Sequence, residues 1–231
     1  MELGWIDTRN KKGIGAIMFI NNNGFAVQEN DLHTKWINDT GRLDHDQWLL
    51  PQLLPYLKGV ALDIGAHIGT HSVYYAQHCK SVVCFEPNPK AFVCLKHNTK
   101  NLHNVGLYNI ALGAVPGSVD IVDCPGNMGA SVTTVGTTIP VKPLDSISIN
   151  ECNFIKMDAE GDEINILTGG KETILYFRPV MLIESNKYAL EKKGFDQKEL
   201  TRAIKRLGYS VTILQPCNVY PDQCDLLCLP Q

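Results

Sequence analysis

The sequence predicts an α/β fold: a doubly wound, seven-stranded sheet, mostly parallel with an antiparallel C-terminal strand, plus a short N-terminal extension. Three observations carry this. From residue 59 onward short apolar runs alternate with stretches of helical spacing, the pattern of parallel strands joined by crossover helices. Right-handed crossovers then place helices on both faces of the sheet. The final apolar runs, YSVTILQP and CDLLCLP, form a terminal antiparallel pair.

The bulk properties agree. The chain has 231 residues, enough for one sizeable domain with a short extension. It is 44% hydrophobic and 19% charged, as ordinary globular domains are. A formal charge of −3 exerts no pull on a polyanion. The densest basic run, Lys187 to Lys193, also contains Glu191, so no nucleic-acid partner is expected. There is no stretch of 18 apolar residues, and MELGWIDTRNKKG is not a signal peptide; a soluble, cytoplasmic protein is expected. Of the eight cysteines, Cys84, Cys94 and Cys228 lie in apolar runs. No CxxC pair occurs, and Cys224 with Cys228 lacks partners at zinc spacing, so reduced core thiols are expected rather than disulfides or a metal.

Taken in order, residues 14 to 27 are two apolar runs around Asn22–Asn23–Gly24, a hairpin signal. Residues 45 to 57 have a helical apolar face that Pro51 and Pro55 would kink. Residues 1–58 are therefore read as an extension of hairpin and helix packed on the main domain, 59–231. Within that domain GVALDIG reads as the first strand and HIGTHSVYYAQHC as a helix. SVVCFEPNP is the second strand, PKAFVCLKHNTKNL the next helix and VGLYNIALG the third strand. SVDIVDC and the region around TIPVKPLDSI are strand-rich, with the loop PGNMGAS between them. NFIKMDAEG, a helix over 162–176, RPVMLIESN and the helix FDQKELTRAIKRLG precede the terminal pair.

Ligands of such sheets bind outside the carboxyl ends of the strands, near the point where strand order reverses. The first strand ends at Asp63, and the loop from Ile64 to Gly69 opens the next helix. Gly65 and Gly69 let a ligand approach the backbone and accept positive φ. Glu86, 21 positions after Gly65, ends the second strand, where a carboxylate can accept both hydroxyls of an adenosine ribose. No Lys follows Gly69, so a P-loop is excluded, and GxxxG differs from the GxGxxG of dinucleotide sites. Asp63 would sit badly beside a pyrophosphate but well beside the ammonium and sulfonium of S-adenosylmethionine.

DIGAHIGTHS, FEPNP, ALG and above all FIKMDAEGDEINILTGG followed by PVMLIES resemble the FkbM-type S-adenosylmethionine-dependent methyltransferase family, over roughly residues 59 to 186. The resemblance implies a Rossmann-like methyltransferase sheet in which Asp63, Gly65, Gly69 and Glu86 bind the cofactor and Asn88 and Ala111 border its adenine. His67, Thr70, Pro87 and Asp158 complete the expected cofactor set. Position 67 is commonly Asn in the family's DxGANxG pattern, whereas here it is His67. An imidazolium beside a sulfonium is unfavourable, so cofactor binding is expected to weaken below about pH 6.5.

Lys156, Asp158 and Glu160 alternate at the end of the fourth strand and leave on one face if the strand persists. The acids also suit a helix N-terminus, which accounts for Asp162 and Glu163 but poorly for a Lys and an Asp within an apolar strand. Glu184 closes the fifth strand. Expected catalytic residues are therefore Asp158, Glu160, Lys156 and Glu184, with Asp158 or Glu160 as general base and Lys156 orienting one of them. His33, His45 and His71 are secondary candidates. Asp158, Glu184 and Asn186 form an alternative Mg2+ ligand set, less favoured than the general-base reading.

The resemblance implies O-methylation, in this family often of a sugar hydroxyl on a glycan, glycolipid or natural product; a deoxyhexose such as rhamnose or fucose is the favoured acceptor. Trp36, Trp48, Tyr74 and Tyr188 are either sugar platforms or core aromatics. The first 58 residues and GNMGASVTT are expected to form the acceptor lid. Alternatives are O- or N-methylation of another small molecule or peptide, an NAD-dependent oxidoreductase and a cofactor-binding module without turnover. No [DNS]PP[YF] follows the fourth strand, which disfavours a DNA amino-methyltransferase. No transmembrane partner is expected, and a homodimer stays open.

Overall fold

The structure, a computed structural model, describes residues 5–6, 18–20, 24–28, 37, 46–124, 126–214 and 222–231. Strands β1 (Trp5–Ile6), β2 (Met18–Ile20) and β3 (Ala26–Gln28) form a small antiparallel sheet. β2 and β3 flank the expected turn, in which Gly24 has φ +77°, while Asn22 and Asn23 lie outside the described residues. Helix α1 (Asp46–Leu53) includes Pro51, and Pro55 falls in the following 3-10 turn, Leu54–Tyr56, so the second proline coincides with the end of the α-helix.

From residue 60 the chain builds the main sheet. β4 (Val60–Ile64), α2 (Thr70–Tyr75), β5 (Ser81–Phe85), α3 (Pro89–Thr99) and β6 (Val105–Tyr108) come first. Next are β7 (Ala111–Leu112), β8 (Gly117–Val122), β9 (Val132–Val135) and β10 (Ile139–Lys142), a separate four-stranded sheet in the order β7-β10-β8-β9. The main sheet resumes with β11 (Phe154–Met157), α4 (Glu163–Gly169), α5 (Lys171–Phe177) and β12 (Val180–Asn186). α6 (Lys187–Lys192), α7 (Gln197–Arg206), β13 (Tyr209–Leu214) and β14 (Gln223–Pro230) complete it.

The main sheet has seven strands in the order β13-β14-β12-β11-β4-β5-β6. β14 is antiparallel to both neighbours and lies between β12 and β13, which places the antiparallel strand inside the sheet. The order reverses between β4 and β11: the chain runs outward from β4 through β5 and β6, then returns to β4's other side. Apolar residues of alternate parity fill the two faces. Leu62, Ile155 and Ile183 join one buried cluster; Ala61, Phe154 and Leu182 join the other with Tyr75 and with Leu49, Leu50 and Leu53 of α1. Ala26 and Val27 of β3 pack with Ile68, Ala91 and Cys94.

Three local expectations are corrected. The run VGLYNIALG is two strands in two sheets, because Asn109 turns its amide to the carbonyls of Glu86 (2.7 Å) and Pro87 (3.1 Å) and ends β6. The helix expected over 162–176 is two, α4 and α5. The Asp145 carboxylate accepts from the backbone N–H groups of Glu172 and Thr173 and so caps a new helix start. Gly169 packs so closely that a Cβ would lie 2.0 Å from the Gly113 carbonyl oxygen. α6, which was not expected, is capped by Asn186. Five of the described cysteines, Cys79, Cys84, Cys94, Cys152 and Cys228, are buried, but Cys124 is exposed; Cys217 lies outside the described residues.

Candidate active site

At the reversal point, register pairs Asp63 of β4 with Lys156 of β11. Asp63 is fully buried. Its Oδ2 accepts from Ser72 Oγ at 2.5 Å, while Oδ1 lies 3.7 Å from Lys156 Nζ and meets no hydrogen-bond donor. Lys156 Nζ donates to the Gly65 carbonyl (2.9 Å) and lies 3.4 Å from Asp158 Oδ2. Burial works against the ammonium, yet the carboxylates of Asp158, Asp63 and Glu184 outweigh it and hold the Lys156 pKa above its ordinary value. Lys156 therefore stays charged. Burial would raise Asp158, but Lys156 and then His71 outweigh it and keep the carboxyl below the usual range.

The loop after β4 explains its own composition. Gly65 has φ +76°, and a Cβ there would lie 1.7 Å from the Asp158 carbonyl oxygen, so only glycine lets the ends of β4 and β11 meet. His67 has φ +49°, a region in which His, like Asn, is enriched among non-glycine residues. Its N–H donates to Glu86 Oε2, and that of Asn88 to Oε1, each at 2.7 Å. Burial nevertheless pushes the Glu86 carboxyl up to about 7. Gly69 caps α2, and the buried Thr70 is that helix's first residue.

Asn88 caps α3 by accepting from Lys90 N at 3.0 Å. Its amide donates to Asp123 Oδ1 (3.1 Å) and Ser131 Oγ (3.4 Å), on either side of the loop joining β8 to β9, and Lys90 pairs with Asp123. Pro87 is joined to Asn109 through its carbonyl, and Ala111 is buried in β7. On the far side of the site Lys193 Nζ donates to the Thr133 carbonyl (2.9 Å), Thr133 Oγ1 (2.5 Å) and Asp162 Oδ2 (2.7 Å).

The strand β11 ends at Met157, so Glu160 does not continue its alternation; it has φ +51° instead. One carboxylate oxygen from each of Asp158, Glu160 and Glu184 nevertheless lies within 4.8 Å of the others. Burial, then the charges of Asp158 and Glu163, push Glu160 up to about 8. Burial, then Asp158, Glu160, Glu163 and Asp225, raise Glu184 well above the carboxylate range. Glu184 Oε1 accepts from Gln223 Nε2. Asn186 Oδ1 accepts from Ala189 N at 3.3 Å, as the cap of α6.

Several supports lay beyond sequence reasoning. Glu163 opens α4 as a helix-start acid should, but its buried side chain turns back to accept from Ala159 N (2.9 Å) and Gly161 N (3.3 Å), which the sequence did not indicate. Ser72, Asn109, Asp123 and Gln223 each hold a site residue through a contact that no spacing announces. Among the aromatic candidates, Tyr74 is buried and Trp48 packs against the same cluster, whereas Tyr188 is exposed and donates to Asp222 at 2.9 Å. His71 stacks on Tyr75 at 5.8 Å. His33, Trp36 and His45 lie outside the described residues.

A mostly parallel seven-stranded sheet with its antiparallel strand next to the end, and a glycine loop gripped by a carboxylate at the strand reversal, define a Rossmann-like, methyltransferase-type fold. The profile of the Methyltransferase FkbM domain family matches residues 63–211, and the chain belongs to that family. The hexuronic acid methyltransferase AglP of Haloferax volcanii is 26% identical over 163 residues, 67% of this chain and 64% of AglP. This chain thus spans a little under two thirds of that relative. The FkbM methyltransferase of Methylobacillus flagellatus superposes with a TM-score of 0.52 at 20% identity, over 74% of this chain and 44% of that one. The Streptococcus mutans protein SMU.1697c, solved in complex with SAH, gives 0.54 at 11% identity, over 80% and 97%. No described helix is long and apolar enough to cross a membrane.

Proposed function

We propose that the chain is an S-adenosylmethionine-dependent O-methyltransferase acting on a sugar hydroxyl of a glycan or glycoconjugate. The observation that carries this reading is the Glu86 carboxylate. Each of its oxygens takes one backbone N–H, at 2.7 Å, which leaves each a lone pair for a ribose hydroxyl. Membership of the FkbM family and the activity in AglP's name support the reaction and the acceptor class.

In this reading Gly65, Gly69 and Thr70 let the cofactor approach the loop, His67 and Pro87 flank Glu86, and Asn88 and Ala111 border the adenine. Bound S-adenosylmethionine supplies an activated methyl group. Asp63 acts from behind, fixing Lys156 and Ser72; Lys156 in turn orients Asp158 and braces the Gly65 carbonyl. Asp158, ionised and next to Lys156, takes the acceptor's hydroxyl proton, and Glu160 and Glu184 border the acceptor. Alignment of acceptor oxygen and methyl carbon removes several kcal/mol of the barrier. The expected lid, residues 1–58 with GNMGASVTT, would close over that acceptor. A cytoplasmic location goes with the free thiols.

Calorimetric titration with S-adenosylmethionine and with NAD tests the cofactor: NAD binding alone would refute the reading. Labelled methyl transfer to free and polymer-linked rhamnose, fucose and hexuronic acids tests the acceptor, the last group chosen because of AglP. Asp158→Asn should lower kcat by about 10²- to 10⁴-fold, and calorimetry on the variant reads any share of Asp158 in cofactor binding separately.

A further inference from the structure

We propose that Asn98 is a positioning residue for the cofactor loop and that β3, held through it, seats that loop. One face of α3 carries Ala91, Cys94 and Leu95, all buried. Ala91 and Cys94 pack with Ile68 of the loop and with Ala26 and Val27 of β3. Leu95 backs Gly69 so closely that a Cβ there would fall 2.7 Å from Leu95 Cδ1. Asn98 continues this face one turn later, as its polar member.

The Asn98 carboxamide is spent on backbone. Nδ2 donates to the Ile68 carbonyl at 2.7 Å and to the Ala26 carbonyl at 2.9 Å, and Oδ1 accepts from Ala26 N at 2.5 Å. Ile68 is fully buried. Helix α2 starts its own ladder one residue later, with Val73 N–H on the Gly69 carbonyl at 3.0 Å. A donor for the Ile68 carbonyl therefore has to come from outside that helix. β3 is an edge of its small sheet. The carboxamide meets the N–H and C=O of Ala26 as a neighbouring strand would, and closes that edge against the loop. One side chain thus joins the N-terminal sheet to the residue after His67, whose N–H grips Glu86.

The cofactor's part in this rests on the function proposed above. With β3 docked, Ile68 is pinned and His67 N–H stays on the Glu86 carboxylate. With β3 released, the buried Ile68 carbonyl loses its donor and the loop relaxes. The ribose carboxylate is then set only in the docked form, so S-adenosylmethionine favours docking. Part of the leading segment thereby serves the cofactor end rather than the acceptor lid.

The test is amide hydrogen exchange of the full chain, followed by NMR, with calorimetric titration of S-adenosylmethionine alongside. Ala26 N–H is bonded to Asn98 itself, and Gly69 N–H, on the Ala66 carbonyl at 2.8 Å, reports the loop. In wild type, exchange of Ala26 should slow by about fivefold or more as cofactor is added and then level off, the size at which couplings between sites begin. Slowing that keeps growing with cofactor concentration marks global unfolding and overturns the proposal, as does exchange indifferent to cofactor. Asn98→Asp sets an acceptor-only carboxylate against two carbonyl oxygens and should release β3, weakening S-adenosylmethionine by about the factor at which exchange levels off. Thermal melts check folding; if Asn98→Asp does not fold, the milder Asn98→Ala decides. Unchanged cofactor affinity in the folded variant overturns the positioning role. A wild type that does not bind S-adenosylmethionine refutes the proposed function. The clamp is then judged without cofactor: faster exchange of Ala26 and Gly69 together in the variant upholds it, and of Ala26 alone overturns it.

Discussion

At the scale of single residues, Glu86 concentrates the chemistry of the cofactor end. Burial holds its proton up to about pH 7, although two backbone N–H groups favour the anion. Because this folded value lies above the unfolded one, its burial costs stability as pH rises from the ordinary carboxylate range through about 7. On the proposed function Glu86 accepts from ribose hydroxyls as the anion, so the sign for binding is opposite. Affinity for S-adenosylmethionine should fall below about pH 7, approaching about tenfold per pH unit. Calorimetry at pH 5.5 to 8 on wild type, Glu86→Gln and His67→Asn separates two origins. Glu86→Gln should bind weakly with a flat profile in this window, and His67→Asn should keep the slope. A slope that vanishes only in His67→Asn would return the effect to the imidazole. The loop's acidic and glycine positions were legible in the sequence because their chemistry is local. Glu163 was not, since an acid at a helix start reads the same whether its side chain faces water or turns back into the fold.

Among the elements, legibility followed apolar pattern. β4, β5, β11 and β12 are buried runs and stand where the sequence put them. The separation of β6 from β7 depends on one amide, Asn109, reaching two carbonyls more than 20 positions away, and apolar periodicity carries no trace of that. α6, KYALEK, is too short and polar for a clear helical stripe. α7 shows the opposite case, with its start written into DQKE. Asp196 Oδ1 accepts from Glu199 N (2.6 Å) and Glu199 Oε2 from Asp196 N (2.9 Å), a reciprocal capping box. Asp196→Ala should destabilise the protein by about 0.5–2 kcal/mol, read as a lower midpoint in urea unfolding.

For the whole molecule, the leading segment is part of the packing. Leu53 of α1 is fully buried in the cluster that contains Ala61, Tyr75 and Phe154. Leu53→Ala should cost about 2–5 kcal/mol and lower the midpoint of the same unfolding transition that reports the sheet. A separate early transition would show that the segment folds apart. The paired strands β8 and β9 have a different global consequence. Asp123 and Ser131 at their loop engage Asn88, two positions from Glu86, while Thr133 engages Lys193 and Asp162, the latter near Glu160 in the chain; on the proposed function these are the cofactor and acceptor ends. One strand pair thus leans on both halves of the site. Thermodynamic reciprocity follows: if seating the nucleoside steadies that strand pair, the acceptor finds it already ordered, and each ligand must tighten the other by the same factor. Coupling of about 1–3 kcal/mol would appear as cofactor affinity measured with and without acceptor, and severing Lys193→Met should erase it without removing either site.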